Sequence, residues 1–234
     1  MSPVGAAEPS HRLELRARRV LTAAELARAP QGVHRAAYLL AHLILRSVLG
    51  EQLCVDPARV ALAAAPCERC GGPHGKPVLA GSDELHLSLS HTRGLAVVAL
   101  SSEPVGVDAE PAGGRSWRSA QLSEVLHPRE LAELARVAIP HRDRAILGCW
   151  VRKEAYLKGR GSGLNRALGS CYVGLPGSRG HPNPDWAVAD VPLSTGHVCA
   201  TAARSTTPAT LSVEVRAGPR FDPHTGAIAL PQRC

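Results

Sequence analysis

The sequence predicts an α+β fold of two similar α+β subdomains. Helix and strand signals alternate without the regular rhythm of a parallel βαβ protein. Each half reads as one or two helices followed by three or four strands. Between the halves, Ala112-Gly-Gly-Arg-Ser116 reads as a hinge. The expected division is residues 1–111, a hinge at 112–118, residues 119–220, and a loosely ordered tail at 221–234. No sequence repeat relates the halves.

In chain order, His11 to Arg16 alternates polar and apolar residues and reads as a short strand. Thr22-Ala-Ala-Glu25 is a capping box opening a short helix. From Gly32 to Gly50 apolar residues recur at helical spacing, and Gly50 is the expected stop. Cys67 to Pro77 reads as a Gly- and Pro-rich loop. Leu85–Ser90 and Leu95–Leu100 form a hairpin pattern across His91-Thr-Arg-Gly94, and Pro104–Asp108 adds a third strand. Beyond the hinge, helices are expected over Ser119–Leu126, Pro128–Val137 and Pro140–Lys158. Strands follow near Cys171–Val173, Trp186–Asp190, His197–Thr201 and Leu211–Arg216.

The 234 residues are enough to bury a core without disulfides, and 44% apolar with 20% charged residues excludes a disordered chain. No apolar run approaches the roughly 20 residues of a membrane span. Arg12, Glu14, Arg16, Arg18 and Arg19 leave no apolar core for a secretory signal, and seven scattered cysteines suit a reducing compartment, so a cytoplasmic location is expected. A formal charge of +7 favours anionic partners. With one Phe, three Tyr and three Trp, the chain lacks the aromatic platforms of a nucleic-acid binder, so an acidic protein or a phosphorylated small molecule fits at least as well.

Among 27 basic residues only Lys76, Lys153 and Lys158 are lysine. An ammonium is a compact charge with a tunable pKa, which arginine cannot imitate, so these three are candidates for sites that need it, chance survival being the alternative. Two of them fall in Trp150-Val-Arg-Lys153-Glu154-Ala-Tyr-Leu-Lys158-Gly-Arg-Gly161-Ser-Gly163-Leu164. On a helix Trp150, Glu154 and Lys158 share one stripe. A surface Glu–Lys pair would also give that spacing. In Gly106-Val-Asp108-Ala-Glu110 two carboxylates at i and i+2 of a strand face the same way. Such a pair can hold Mg²⁺ or form a solvated strand edge. Ser88-Leu-Ser90-His91 stands at the hairpin turn and Gly75-Lys76-Pro77 just before it. Cys67-Glu-Arg-Cys70 with His74 is half of a zinc pattern without a second half, and a loop with free thiols is the simpler reading.

The Gly-Lys-Pro, Ser-His, Gly-Val-Asp-x-Glu and Trp-x-x-Lys-Glu-Ala-x-x-Lys-x-x-Gly-x-Gly-Leu elements, in this order, resemble the 4′-phosphopantetheinyl transferases of the surfactin-synthetase-activating type. The resemblance implies a pseudo-two-fold arrangement with coenzyme A in the cleft between the subdomains. It implies Mg²⁺ on Asp108, Glu110 and Glu154, with Glu154 as base and Lys158 on the pyrophosphate as the two catalytic groups. Lys153, Ser90 and His91 would line the phosphates, and Gly75, Lys76 and Pro77 would border the adenine and ribose. The family's arginine for the 3′-phosphate falls by spacing on Ala37, which leaves Arg35, two positions away, for that role. Ala109 is smaller than the residue common between the two carboxylates and opens the site. The implied reaction moves the phosphopantetheine arm of coenzyme A to a serine of an acidic apo acyl or peptidyl carrier protein and releases 3′,5′-ADP, in a monomer. A nucleotide or nucleic-acid binder and a metal-dependent phosphohydrolase are the alternatives.

Overall fold

The structure, a computed structural model, describes residues 9–66, 70–72, 75–92, 95–113, 119–162, 168–178, 184–205, 211–218, 220–221 and 228–229. It is a mixed α and β architecture of helices and small antiparallel sheets. The chain divides into two compact units, one of Met1–Ala61, Arg93–Ala96 and Arg216–Cys234, the other of Leu62–Thr92 and Val97–Val215. Of the expected hinge, 114–118 lie outside the described residues, and the strand before it pairs with a strand well after it. Among the described residues no helix is long and apolar enough to cross a membrane.

The first unit is built on helices α1 (Pro9–Val20), α2 (Ala23–Arg28) and α3 (Arg35–Leu53). The strand expected at His11–Arg16 is part of α1. Leu13, Ala17 and Val20 recur at helical spacing and pack with Leu21, Ala29, Leu39 and Leu43, while Leu15, the other half of the apparent alternation, is 45% exposed. The capping box is present as expected: Thr22 Oγ1 accepts from Glu25 N at 3.2 Å, and Glu25 Oε2 accepts from Thr22 N at 2.8 Å. Helix α3 runs one turn past Gly50 and closes on Cys54, whose φ is 55°.

Glu25 is also the unit's buried anion. Arg46 donates to it from Nε at 3.0 Å and Nη2 at 2.9 Å, and spends Nη1 on the carbonyls of Pro57 and Val60. Arg46, 1% exposed, therefore ties α3 to α2 and to the 57–60 turn.

The second unit contains β1 (Leu62–Ala64), β2 (Pro77–Leu79), β3 (His86–Thr92), β4 (Leu95–Ser101, from Val97 onward in this unit) and β5 (Val105–Pro111), then α4 (Ser119–Val125), α5 (Pro128–Leu134) and α6 (Arg142–Arg160), then β6 (Trp186–Val191) and β7 (His197–Arg204). Strands β1 and β2 pair, as do β3 and β4, and β7 lies between β5 and β6 in an antiparallel three-stranded sheet. A last short pair, β8 (Arg220–Phe221) and β9 (Ile228–Ala229), belongs to the first unit's segment of chain. The strands expected at Cys171–Val173 and Leu211–Arg216 have no regular structure. At the former, Val173 N and Gly174 N donate to the Glu130 carboxylate instead of to a neighbouring strand. The loop expected to run to Pro77 ends earlier, because Pro77 opens β2 opposite Ala64.

Helix α6 lies against β5 and β7, and its apolar side, including Leu147, Val151, Ala155 and Leu157, joins the unit's core. It comes unusually close to β5. A Cβ on Gly106 would stand 2.0 Å from Ala155 O and 2.2 Å from Gly159 N, so only glycine permits this crossing. Strand alternation then turns Asp108 and Glu110 to the face that Gly106 offers to α6.

Burial alone would raise the Glu25 pKa, but hydrogen bonds from His42, Arg46 and Thr22 outweigh it and hold the carboxyl far below its usual range. A carboxylate depressed in the folded state stabilises the fold above its unfolded pKa of about 4.3, and that contribution fades as the pH falls further. Glu25→Gln is expected to cost roughly 3 kcal/mol at neutral pH, with the difference from wild type narrowing below about pH 4. Denaturant unfolding of both proteins across this range measures the gap; a gap independent of pH would contradict the assignment.

Candidate active site

Strands β3 and β5 and helix α6 enclose a cavity of about 310 Å³ lined by Leu89, Ser90, His91, Asp108, Ala109, Glu110, Trp150, Glu154 and Lys158. Each element brings its residues by its own period. Strand β5 offers Asp108 and Glu110 two apart, and α6 offers Trp150, Glu154 and Lys158 at every fourth position.

Asp108 is buried, at 5% exposure. Its Oδ1 accepts from Ser90 Oγ at 2.9 Å and from Lys158 Nζ at 2.6 Å. Its Oδ2 is buried with no hydrogen-bond partner among the described residues. Serines at i and i+2 of β3 act as a ladder toward β5, since Ser88 Oγ accepts from Val107 N and Ser90 Oγ from Ala109 N. The polar-apolar alternation of Ser88-Leu-Ser90 was the available sign of this; Ser88 carries no chemistry but sets the register that aims Ser90 at Asp108.

The buried carboxylate also affects its neighbour on β7. Cys199 stands opposite Ala109, and burial, with the Asp108 charge adding to it, pushes its thiol up to about 12. Cys199 is therefore protonated at neutral pH and is no nucleophile.

The donors present are hard oxygens, one of them an orphaned buried carboxylate oxygen, which is the chemistry Mg²⁺ takes. In kind, Asp108, Glu110 and Glu154 fit such an ion. Among the described residues, however, no group of three or more His, Cys, Asp or Glu side chains is gathered to hold a metal as it stands.

Six of the residues expected to bind or react thus meet in one cavity, Asp108, Glu110, Glu154, Lys158, Ser90 and His91, with Trp150 and Ala109 beside them. Lys76, Gly75, Pro77 and Arg35 do not line it. Lys153, expected to line the phosphates, is not among the residues that line this cavity either. It is fully buried on the far side of α6, 2.6 Å from Glu130 Oε2, and donates to the carbonyls of Val125 at 2.7 Å and Leu168 at 2.8 Å. One residue along a helix turns a side chain by about 100°, so neighbours Lys153 and Glu154 face opposite environments.

Lys76 lines a second cavity of about 470 Å³ with Arg160 and Trp186, and its ammonium donates to Gly159 O at 2.8 Å, at the C-terminal end of α6. Gly75 N donates to Ala65 O, and a Cβ there would sit 2.4 Å from that same oxygen, so close backbone approach accounts for this glycine. Arg35 belongs to the first unit and pairs with Glu14, its Nε 2.5 Å from Oε1. Cys70 is exposed; Cys67, His74, Gly163 and Leu164 lie outside the described residues.

Sequence reasoning missed Glu130, the group that makes sense of Lys153. Its signal was His127-Pro-Arg-Glu130, a capping box in which Glu130 Oε2 accepts from His127 N at 2.8 Å. The carboxylate then serves both the helix start and the core.

Residues 104–199 match the model of the 4′-phosphopantetheinyl transferase superfamily. The superfamily match takes in β5, α6 and the helices between them. Over 151 residues the chain is 30% identical to the 4′-phosphopantetheinyl transferase HetI of Nostoc sp., covering 62% of this chain and 61% of that protein. It is 34% identical to AcpT of Salmonella typhi over 138 residues, 58% of this chain and 64% of the relative. It is 25% identical to Sfp of Bacillus subtilis over 137 residues, covering 58% and 57%. The chain thus spans less than two thirds of the length of each of these relatives.

Replacing Lys153 by Met leaves the Glu130 carboxylate buried without its counter-charge, an expected loss of about 3 kcal/mol that Glu130→Gln in the same chain partly recovers. Urea unfolding measures both. A lysine that merely lined a ligand cavity would leave the stability of the unliganded protein unchanged.

Proposed function

We propose that this protein is an enzyme that transfers the 4′-phosphopantetheine arm of coenzyme A to the hydroxyl of a serine in an apo acyl or peptidyl carrier protein. The observation that carries the reading is the meeting of Asp108, Glu110, Glu154 and Lys158 in one cavity, inside the segment that matches the transferase superfamily.

In this reading the cavity holds the diphosphate of coenzyme A. Bound Mg²⁺, on Asp108, Glu110 and Glu154, would neutralise the diphosphate charge. Ser90 keeps Asp108 oriented through its hydroxyl. His91, exposed at the rim, offers a hydrogen bond to a phosphate oxygen. Glu154 accepts the proton of the incoming serine hydroxyl. The serine oxygen bonds to the phosphorus nearer the pantetheine, and the bond from that phosphorus to the bridging oxygen breaks. Lys158 stabilises the negative charge left on the departing 3′,5′-ADP and can return a proton to it.

A charge of +7 suits an acidic carrier protein. Because one chain supplies every carboxylate and the lysine, a monomer suffices, and an architecture of two similar α+β subdomains in pseudo-two-fold arrangement goes with it. A cytoplasmic location accords with the scattered cysteines.

The test is the intact mass of an apo carrier protein incubated with this protein, coenzyme A and Mg²⁺, beside an EDTA control. A gain of one phosphopantetheine on the carrier, absent with EDTA, is expected. Release of phosphopantetheine to water without carrier modification would instead make the protein a hydrolase, and no reaction with any carrier would overturn the reading. Glu154→Gln and Asp108→Asn are expected to lose at least about 10²-fold in rate while keeping their circular dichroism spectra.

A further inference from the structure

We propose that Lys158 competes with the divalent cation for Asp108, so that the site takes up its metal weakly until a phosphate ligand draws the ammonium away. This rests on the transferase reading and concerns the order in which the same site fills. The two partners differ in freedom. Asp108 is buried and pinned by Ser90, whereas the Lys158 side chain is 32% exposed at the mouth of the cavity. The ammonium lies 2.6 Å from Oδ1, occupying one carboxylate oxygen and opposing any second positive charge brought to the orphaned Oδ2 beside it.

A diphosphate offers that ammonium several charged oxygens in place of one. Moving Lys158 from Asp108 to the phosphates would free Oδ1 and remove the repulsion in a single motion. By thermodynamic reciprocity the affinities for diphosphate and metal must then be coupled. The scarcity of lysine in this chain fits such a role, because a flexible ammonium can exchange partners more readily than a guanidinium fork.

The experiment is a titration with Mn²⁺ as the probe, reading unbound Mn²⁺ by electron paramagnetic resonance, with and without coenzyme A. Without coenzyme A, Lys158→Gln is expected to bind Mn²⁺ at least about tenfold more tightly than wild type, because a cation adjacent to the ligand has gone. Lys158→Arg stays as weak as wild type, and adding Asp108→Asn to Lys158→Gln abolishes the gain. Coenzyme A tightens Mn²⁺ binding in wild type far more than in Lys158→Gln. Equal or weaker Mn²⁺ binding by folded Lys158→Gln overturns the proposal, and Lys158→Ala serves if the glutamine variant does not fold. A wild-type protein that modifies no carrier would count against the transferase reading alone, since the Mn²⁺ titration needs no turnover.

Discussion

The buried pair of Lys153 and Glu130 is the interaction on which the second unit depends. An uncompensated charge in the interior costs several kcal/mol, and here neither partner is left uncompensated. The ammonium adds two carbonyls, Val125 O and Leu168 O, and the carboxylate adds the N–H groups of His127, Val173 and Gly174. Five stretches of chain therefore converge on one point inside the protein. Since Lys153 sits midway along α6, the pair fixes the rotation of that helix about its axis. The next residue, Glu154, is thereby committed to the cavity, and Lys158 one turn later with it.

The second constraint is distance. Gly106 and Gly159 let backbone meet backbone where α6 crosses β5, which brings the ammonium on the helix within 2.6 Å of the carboxylate on the strand. A larger residue at Gly106 would lift the helix off the strand and separate the two halves of the constellation, whereas a Cβ at Gly159 would first meet the Trp186 ring at 2.6 Å. Glycine, not a polar residue, is thus what sets the reach between Asp108 and Lys158. Serines of β3 complete the enclosure from the other side by replacing part of a strand ladder with side-chain hydrogen bonds.

Much of this was legible in the sequence where a period carries the information. The period of two in Asp108-Ala-Glu110 and of about four in Trp150, Glu154 and Lys158 placed those residues together. The Thr22–Glu25 capping box was readable for the same reason, because both partners lie within one turn. What was not legible depends on partners distant in sequence. Lys153 looked like part of the same motif as Glu154, and only Glu130, on another helix, reveals that it belongs to the core. The sequence likewise gives no sign that Arg35 pairs with Glu14, twenty-one residues away on another helix. Leu13 and Leu15 alternate locally like a strand, while the burial that makes α1 a helix comes from packing on α3.

The central claim is that β5 and α6 together form the seat of a diphosphate and its metal. A crystal structure of the protein with coenzyme A and Mg²⁺ tests it most directly. The account predicts the diphosphate and one metal ion beside Asp108, Glu110, Glu154 and Lys158, with Lys153 still on Glu130. A diphosphate seated instead in the cavity of Lys76 and Arg160, or Lys153 turned out to meet it, would contradict the account.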